Sequence, residues 1–317
     1  MTIVLSTFMP DKVFREQLSE LFPEFHFLFF ENMEEAKGVL PETEILVTYG
    51  EDVNKDILDQ ASELKWIMVF SAGLEKIPFK ELKRRGILLT NARGIHKIPM
   101  AEFAIGLLLM HAKQFLVFSK QQEEHLWNKR VPTKELLGET LLVLGTGAIG
   151  REIARYAKFF GMKTIGINRN ARPIQEFDET YSLSELNQVL PEADYVLSIL
   201  PSTKDTIGIF TLEQFMLMKE SAVFINLGRG DCIVEEDLLN ALEKGEFSHA
   251  YLDVFSEEPL RKEHPFWTCN RITITPHVSA RSSMYVSRGM DIFIDNLKRY
   301  ITGREDMINL IDLDRGY

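Results

Sequence analysis

The sequence predicts an α/β protein with two doubly wound units, each built on a parallel sheet. Short apolar runs alternate with amphipathic stretches along most of the chain, as parallel strands joined by helical crossovers do. The 317 residues are more than one hydrophobic core usually organises, so two domains are expected. A glycine-rich turn lies between a strand pattern and a helix pattern near the middle of the chain.

The first unit is predicted from the first hundred residues. The strand patterns there are TIVLS, FHFLFF, EILVTY and WIMVF, and the helical patterns are DKVFREQLSELF, KDILDQASEL and FKELKRRG. Residues 99–127 then form a long apolar helical region. Its Glu102, His111 and Lys113 argue against a membrane span, and either core packing in one subunit or an oligomer surface would explain its composition.

The second unit is predicted from another alternating series that starts at residue 140. Its strand patterns are TLLVLG, KTIGIN, DYVLSIL, SAVFINL, HAYLDV and RITITP, and its helical patterns are AIGREIARYAKFFG, TLEQFMLM and EEDLLNALEKG. One more helix, over residues 282–302, follows after this sheet is complete.

Charge and cysteine content argue against several classes of protein. The net charge is −11, which is unfavourable for binding nucleic acid or an anionic membrane. Cys232 and Cys269 lack the spacing of a disulfide scaffold or a zinc module, so no metal site is expected. The start, MTIVLSTFMP, has no basic region followed by a long apolar run. We therefore expect no signal peptide or membrane span, and a cytoplasmic location.

The glycine-rich turn predicts a dinucleotide site. In LLVLGTGAIGREIA the first glycine allows a tight turn, the second lets a pyrophosphate approach the backbone, and the third lets helix and strand pack closely. The start of the following helix would offer its N–H groups to the phosphates. A ligand-free glycine turn is the alternative. The residues predicted to bind the cofactor here are Gly145, Thr146, Gly147, Ala148, Ile149 and Gly150.

The end of the next strand predicts which dinucleotide is bound. Asn168 lies roughly 20 residues after the last glycine, where an acid would bind the ribose of NAD and repel a 2′-phosphate. Arg169 offers a guanidinium for bidentate pairing with that phosphate, and Arg172 is close enough to help. The pattern favours NADP, with NAD as the second choice, and Asn168 and Arg169 are predicted to be cofactor-binding residues. Alternatively, Arg169 is a solvated surface residue.

Three polar segments follow predicted strands of the second unit, at the edge where ligands collect in open α/β sheets. FINLGRGD places Arg229 between two glycines, LDVFSEEP carries Asp253, Glu257 and Glu258, and ITPHVSA carries His277. Each segment has an ordinary structural explanation when it is taken singly. Together they suit hydride transfer to a 2-oxo acid.

The reduction of a 2-oxo acid needs three groups that these segments supply. Arg229 would bind the carboxylate and the carbonyl oxygen. His277 would donate a proton to the developing alkoxide. Glu258 would orient the imidazole and stabilise its protonated form.

The same segments make the chain resemble the D-isomer-specific 2-hydroxyacid dehydrogenase family. The matching segments are LGTGAIG, LPSTKDTIGIF, INLGRGDCIVEEDLLNALEKG, AYLDVFSEEPL and TPHVSA, with looser matches at FSAGLEKIP and NARGIHKIPMAEFAIGLLL. The resemblance implies that Arg229 binds the substrate, that His277 is the acid–base residue and that Glu258 supports it. It also implies that the backbone amides of Ala72 and Gly73 bind the substrate carboxylate. Pro201, Thr206 and Asp253 would be further cofactor-binding residues, the last two near the nicotinamide.

The family architecture implies how the domains are arranged. A Rossmann nucleotide domain, residues 99–279, would be inserted into a flavodoxin-like substrate-binding domain made of residues 1–98 and 280–317. The resemblance also implies an active site in the cleft between the domains, with hinge closure. It further implies a homodimer to which residues 99–127 contribute.

Two departures from the family pattern refine the expectation. Asn168 and Arg169 replace the usual acid and resemble the NADP-preferring glyoxylate and hydroxypyruvate reductases of the family. Leu74 and Glu75 stand where GVDK is more usual, and we expect this loop to tolerate them. The expected function is NAD(P)H-dependent reduction of small 2-oxo acids to D-2-hydroxy acids. The alternatives are an NAD-dependent phosphoglycerate or lactate dehydrogenase, and a nucleotide-sensing scaffold similar to the C-terminal binding protein corepressors.

Overall fold

The computed structural model describes residues 2–71, 73–74, 76–304 and 306–315. The chain divides into two compact units, Met1–Ile95 with Ser282–Tyr317, and His96–Arg281. The second unit interrupts the first, and each unit contains a parallel sheet. The predicted α/β class, with a nucleotide-type domain inserted into a flavodoxin-like one, is confirmed.

The first unit contains a five-stranded parallel sheet. Its strands are β1 (Thr2–Ser6), β2 (Phe25–Phe29), β3 (Thr43–Thr48), β4 (Trp66–Val69) and β5 (Leu88–Asn91). Their order across the sheet is β2-β1-β3-β4-β5, which is the flavodoxin-like order. In β4, Trp66 and Met68 pack into the core on one face, and Ile67 and Val69 pack into the core on the other. Burial on both faces explains why this strand is apolar throughout.

The second unit contains a seven-stranded parallel sheet. Its strands are β6 (Thr140–Leu144), β7 (Lys163–Asn168), β8 (Glu179–Ser182), β9 (Tyr195–Ser198), β10 (Val223–Asn226), β11 (His249–Leu252) and β12 (Ile272–Ile274). Their order is β12-β11-β10-β9-β6-β7-β8. The strand order reverses between β6 and β9, and doubly wound sheets bind dinucleotides at the crevice that such a reversal creates.

The helices lie between these strands along the chain, except for the last one, which follows β12. They are α1 (Lys12–Leu21), α2 (Met33–Ala36), α3 (Lys55–Gln60), α4 (Phe79–Arg85), α5 (Lys97–Ala112), α6 (Phe115–Glu123), α7 (Ala148–Phe159), α8 (Leu186–Val189), α9 (Leu212–Met216), α10 (Glu235–Lys244) and α11 (Tyr285–Ile301). Short 3₁₀ helices occur at Lys37–Glu42, Leu183–Glu185, Leu190–Glu192, Gly230–Cys232 and Pro265–Thr268. The last helix, α11, belongs to the first unit, where Phe293 stacks on Trp66 with ring centroids 5.4 Å apart.

The apolar region 99–127 is two helices rather than one. α5 ends at Ala112 and α6 begins at Phe115, because Gln114 between them has a φ of +58°, which a right-handed helix cannot contain. Among the described residues, no single helix has both the length and the apolar composition to cross a membrane. α5 and α6 meet that criterion only as a pair, and the pair is bent by 63°.

Candidate active site

Three glycines lie in the turn after β6, and the lack of a side chain has a different consequence at each of them. Gly145 has a φ of +108°, which other residues rarely adopt, and its N–H donates to the Ile167 carbonyl oxygen at 3.0 Å. A Cβ on Gly150 would overlap the carbonyl oxygen of Gly145, so this glycine lets α7 pack directly on the turn. A Cβ on Gly147 would meet open space, and the backbone there is exposed.

The start of α7 has the properties of an anion site. Its N-cap, Gly147, makes no side-chain hydrogen bond to the helix, and no acidic residue lies in the first turn. The first N–H groups therefore remain for an external acceptor, and the helix dipole adds partial positive charge. Ala148 is exposed and Ile149 partly exposed, whereas Thr146 is buried with its methyl group over Gly166 of β7. The pyrophosphate of a dinucleotide fits this turn.

The loop after β7 carries two positively charged side chains that have no partner within the described part of the chain. Arg169 and Arg172 are both exposed, and both guanidinium groups are available to an external anion. The carboxamide of Asn168 bonds to the backbone of Asn170 and Arg172 and holds the loop closed. Two exposed guanidinium groups therefore stand on one ordered loop, where an anionic group of a ligand could pair with them.

The turn after β10 holds Arg229 between two glycines that each allow a close approach. A Cβ on Gly228 would lie 2.6 Å from the carbonyl oxygen of Leu200, and one on Gly230 would overlap the backbone of Phe255. The Arg229 turn therefore packs against the loops that follow β9 and β11. Within the turn, Arg229 Nη1 donates to the carbonyl oxygen of Gly228 at 2.9 Å.

Glu258 and His277 form a hydrogen-bonded pair. His277 Nδ1 lies 2.7 Å from Glu258 Oε2, and Glu258 Oε1 accepts a hydrogen bond from the Phe255 N–H at 3.0 Å. Because a carboxylate only accepts, we assign a proton to Nδ1, and Nε2 is the nitrogen left to exchange a proton. The His277 side chain is 50% exposed and that of Glu258 is 35% exposed. Together with Arg229, the pair lies at the carboxyl ends of the neighbouring strands β10, β11 and β12.

The backbone of His277 is held in a left-handed conformation. Its φ is +52°, and its N–H donates to the Asp253 carbonyl oxygen at 2.9 Å. The fully buried Asp253 carboxylate accepts from Thr275 Oγ1 at 2.6 Å and from the N–H groups of Val278 and Ser279, each at 2.9 Å. A strained conformation persists only where its surroundings fix it. Asp253, expected to bind the cofactor, therefore has a clear role in fixing the turn that carries His277.

The loop after β9 is closed by Thr206. This residue is buried, its Oγ1 donates to the Pro201 carbonyl oxygen at 2.6 Å, and the same oxygen accepts from the Thr203 N–H at 2.9 Å. Pro201 is exposed. The Thr206 hydroxyl is thus engaged inside the loop, so any contact with a cofactor would be made by the loop that Thr206 organises.

The predicted carboxylate-binding segment lies in the first unit. Gly73 is partly buried there, and its carbonyl oxygen accepts from Ser71 Oγ at 2.8 Å. Leu74 is buried in the core of that unit. Ala72 and Glu75 lie outside the described residues, and the carboxylate-binding roles of Ala72 and Gly73 stay predictions.

Comparison with known proteins identifies the family. The sequence profile of the D-isomer specific 2-hydroxyacid dehydrogenase, NAD binding domain, matches residues 105–279, which is more than half of the chain. The chain belongs to the D-isomer specific 2-hydroxyacid dehydrogenase family. As a member, it is assigned to the NAD(P)-dependent dehydrogenases that act on 2-hydroxyacids.

Individual relatives of this dehydrogenase differ in their named substrates. Glyoxylate/hydroxypyruvate reductase A of Photorhabdus laumondii is 31% identical over 83% of this chain and 84% of its own. D-3-phosphoglycerate dehydrogenase of Methanocaldococcus jannaschii is 31% identical over 84% of this chain, which spans about half (51%) of that relative.

Solved structures extend the likeness over the whole chain. A D-isomer specific 2-hydroxyacid dehydrogenase family protein of Aeromonas salmonicida has a TM-score of 0.86 and is 36% identical, with 99% of each chain covered. The NADPH-dependent glyoxylate/hydroxypyruvate reductase of Sinorhizobium meliloti, solved with NADP and sulfate, has a TM-score of 0.79 and is 27% identical, with 100% of each chain covered.

One contributor to the dehydrogenase site was missed by sequence reasoning. Asn226 is fully buried at the end of β10, where its Oδ1 accepts from the Gly228 N–H at 3.1 Å and its Nδ2 donates to the Arg229 carbonyl oxygen at 2.9 Å. It thereby fixes the backbone that carries the arginine. An asparagine two residues before a glycine is a typical turn signal and could have identified it.

Proposed function

We propose that this dehydrogenase uses NADPH to reduce small 2-oxo acids of the glyoxylate and hydroxypyruvate type to D-2-hydroxy acids. The observation that carries the proposal is the Glu258–His277 hydrogen bond, which lies on the same sheet edge as the Arg229 turn. A proton donor, its orienting carboxylate and a carboxylate-binding cation are the groups that this reduction needs.

Each residue has a separate task in this mechanism. Arg229 binds the substrate carboxylate and polarises the carbonyl group. His277 gives its Nε2 proton to the carbonyl oxygen as negative charge develops there, while Glu258 accepts the Nδ1–H and stabilises the imidazolium. The backbone amides of Ala72 and Gly73 stay the predicted further binding groups for the substrate carboxylate. When bound, the nicotinamide cofactor supplies the hydride that adds to the carbonyl carbon.

The preference for NADP is supported by the loop after β7. Arg169 and Arg172 are exposed there, and no acid occupies position 168 to repel a 2′-phosphate. The NADP bound by the Sinorhizobium meliloti reductase is consistent with the same preference in this chain. In our proposal the cofactor also contacts the glycine turn and the loop from Pro201 to Thr206.

We also propose a homodimer formed in part by residues 99–127. Several apolar side chains of this region are exposed, with Phe115 at 58% and Trp127 at 95%. Light scattering after gel filtration should give twice the chain mass of 36.5 kDa. The variant Phe115→Glu should shift that mass toward the monomer, and a wild-type mass of a single chain would refute the dimer.

The decisive experiment is an initial-rate panel of 2-oxo acids with NADPH and with NADH. Because a phosphoglycerate dehydrogenase is among the relatives, the panel includes 3-phosphoglycerate with NAD and NADP in the oxidative direction. We expect the highest kcat/KM with NADPH and glyoxylate or hydroxypyruvate. No turnover of any of these acids with either cofactor would refute the proposal, and strong oxidation of 3-phosphoglycerate with NAD would favour the alternative.

Two variants test the assigned residues. His277→Ala should lower kcat by about 10²–10⁴-fold, the usual contribution of general acid–base catalysis. Arg169→Asp should raise the KM for NADPH and spare that for NADH. The matched control is Arg155→Gln, which also removes a positive charge from the second unit, but one that pairs with Glu152 at 2.6 Å. Equal KM values for wild type and Arg169→Asp would exclude a role of Arg169 at the 2′-phosphate.

A further inference from the structure

The loop from residue 168 to residue 172 is closed by one side chain. Asn168 Oδ1 accepts from the Asn170 N–H at 3.2 Å and from the Arg172 N–H at 2.9 Å. Its Nδ2 donates to the Arg172 carbonyl oxygen at 2.9 Å. The loop also contains Ala171 with a φ of +51°, a conformation that a residue other than glycine adopts only with support. The Asn168 carboxamide supplies that support by bonding to the backbone on both sides of the strained residue.

These bonds change what Asn168 can do for a ligand. Its carboxamide oxygen already accepts two N–H groups, so it is not free to accept a hydrogen bond from a ribose hydroxyl. Arg169 directly follows Asn168, and Arg172 is the residue that it holds. The carboxamide therefore fixes the backbone positions from which both guanidinium groups extend.

We propose that Asn168 is a positioning residue for recognition of the 2′-phosphate of NADP, and that it acts through the loop that carries Arg169 and Arg172. This inference rests on the proposed preference for NADP. A preordered loop lowers the entropic cost of bringing two flexible arginines to one phosphate. An aspartate could accept the same two N–H bonds, but it could not donate to the Arg172 carbonyl oxygen, and it would repel the phosphate. Asparagine closes the loop without adding negative charge.

The test compares two nucleotide fragments that differ only in the phosphate concerned. The dissociation constants of 2′,5′-ADP and 5′-AMP are measured by calorimetry for the wild-type protein and for Asn168→Ala and Asn168→Asp. Asn168→Ala should weaken binding of 2′,5′-ADP by roughly tenfold, as expected when ordered contacts are lost. Binding of 5′-AMP should change by less than about twofold. Asn168→Asp keeps the acceptors of the loop and should weaken binding of 2′,5′-ADP further, because it adds repulsion.

The matched control is Asn170→Ala, an exposed asparagine of the same loop that contributes its backbone N–H to the closure. It should bind both fragments as the wild type does, and melting temperatures should show that all variants are folded. If Asn168→Ala lost affinity for both fragments equally, or lost affinity for neither, the proposed role of Asn168 would be overturned. Failure of the proposed cofactor preference has a different signature, since the wild-type protein itself would then bind 5′-AMP as tightly as 2′,5′-ADP, and the inference would fall with it.

Discussion

Two histidines of the second unit are packed side by side where protonation is unfavourable. His111 in the last turn of α5 and His249 in β11 have ring centroids 5.8 Å apart. Burial lowers the pKa of each to about 4, and positive charge at Lys134 adds to the effect on His111. For His249 the neighbouring His111 and Arg271 add to it in the same way. Both rings are therefore neutral at pH 7.

This arrangement makes stability depend on pH in a calculable direction. An ordinary histidine has a pKa of 6.5, so below that value the unfolded chain binds protons that the folded chain accepts only near pH 4. Stability is thus present at neutral pH and falls as the pH falls. At 1.36 kcal/mol per pKa unit, each histidine contributes roughly 3 kcal/mol of stability that is lost in full only when the pH falls below its folded-state pKa. Lowering the pH from 6.5 to 5 alone removes roughly 1.6 kcal/mol each, or about 3 kcal/mol for the pair.

Urea unfolding of the full chain at pH 6.5 and pH 5.0 measures this loss. The double variant His111→Asn with His249→Asn removes the titration, whereas His26→Asn changes an exposed histidine of β2 and serves as the control. The unfolding free energy of the wild type should fall by about 3 kcal/mol more than that of the double variant. The carboxylates contribute to the pH dependence of the unfolding free energy equally in all three proteins, so their contribution cancels when the proteins are compared. Equal pH dependence in the wild type and the double variant would refute the reasoning.

Three further substitutions test how the site is held together. Asp253→Asn should lower kcat and reduce the unfolding free energy by about 1–3 kcal/mol, because it weakens the acceptor that fixes the His277 turn. Initial rates measure kcat and urea unfolding measures the stability. An unchanged kcat would contradict the role of Asp253. Gly150→Ala should raise the dissociation constant of NADP⁺ in calorimetry, because the new Cβ would overlap the Gly145 carbonyl oxygen; unchanged binding would contradict the packing argument. Asn226→Ala should raise the KM for the 2-oxo acid about tenfold or more and leave NADP⁺ binding intact, since it loosens only the arginine turn; equal effects on both ligands would contradict it.

The sequence predicted the fold wherever burial requires apolar residues. β6 and β10 are buried along nearly their whole length and read as continuous apolar runs. Two strands gave no such signal. β8 is an edge strand of sequence ETYS in which every residue is only partly buried. β5 has only four residues, and its Thr90 is a buried polar residue that interrupts the apolar run. The Thr90 hydroxyl accepts a hydrogen bond from Trp66 Nε1 at 2.9 Å. The break at Gln114 was missed because neither glycine nor proline marks it.

The site was predictable in its residue types and less so in its contacts. Arg229, Glu258 and His277 were singled out because they follow strands that end at one edge of a parallel sheet. Their proximity depends on backbone contacts that spacing does not reveal. Gly230 allows the arginine turn to touch Phe255, and Phe255 in turn donates its N–H to Glu258. The roles of these residues in catalysis stay proposals.

Asparagine and aspartate side chains at strand ends order the loops at this edge of the sheet. Asn168 ends β7 and Asn226 ends β10, and each uses its side chain to bond backbone N–H groups of the loop that comes next. Asp253 directly follows β11, and its side chain bonds backbone N–H groups of the loop that follows the neighbouring strand β12. Where a strand ends, those N–H groups lose their ladder partners and need another acceptor. In each case the side chain proposed to act on the ligand belongs to a different residue, Arg169, Arg229 or His277. The side chains that order the loops and those proposed to act on the ligand therefore belong to separate residues. A substitution at a loop-ordering residue should change the loop geometry and the ligand specificity, while the side chain proposed to act on the ligand stays in the chain.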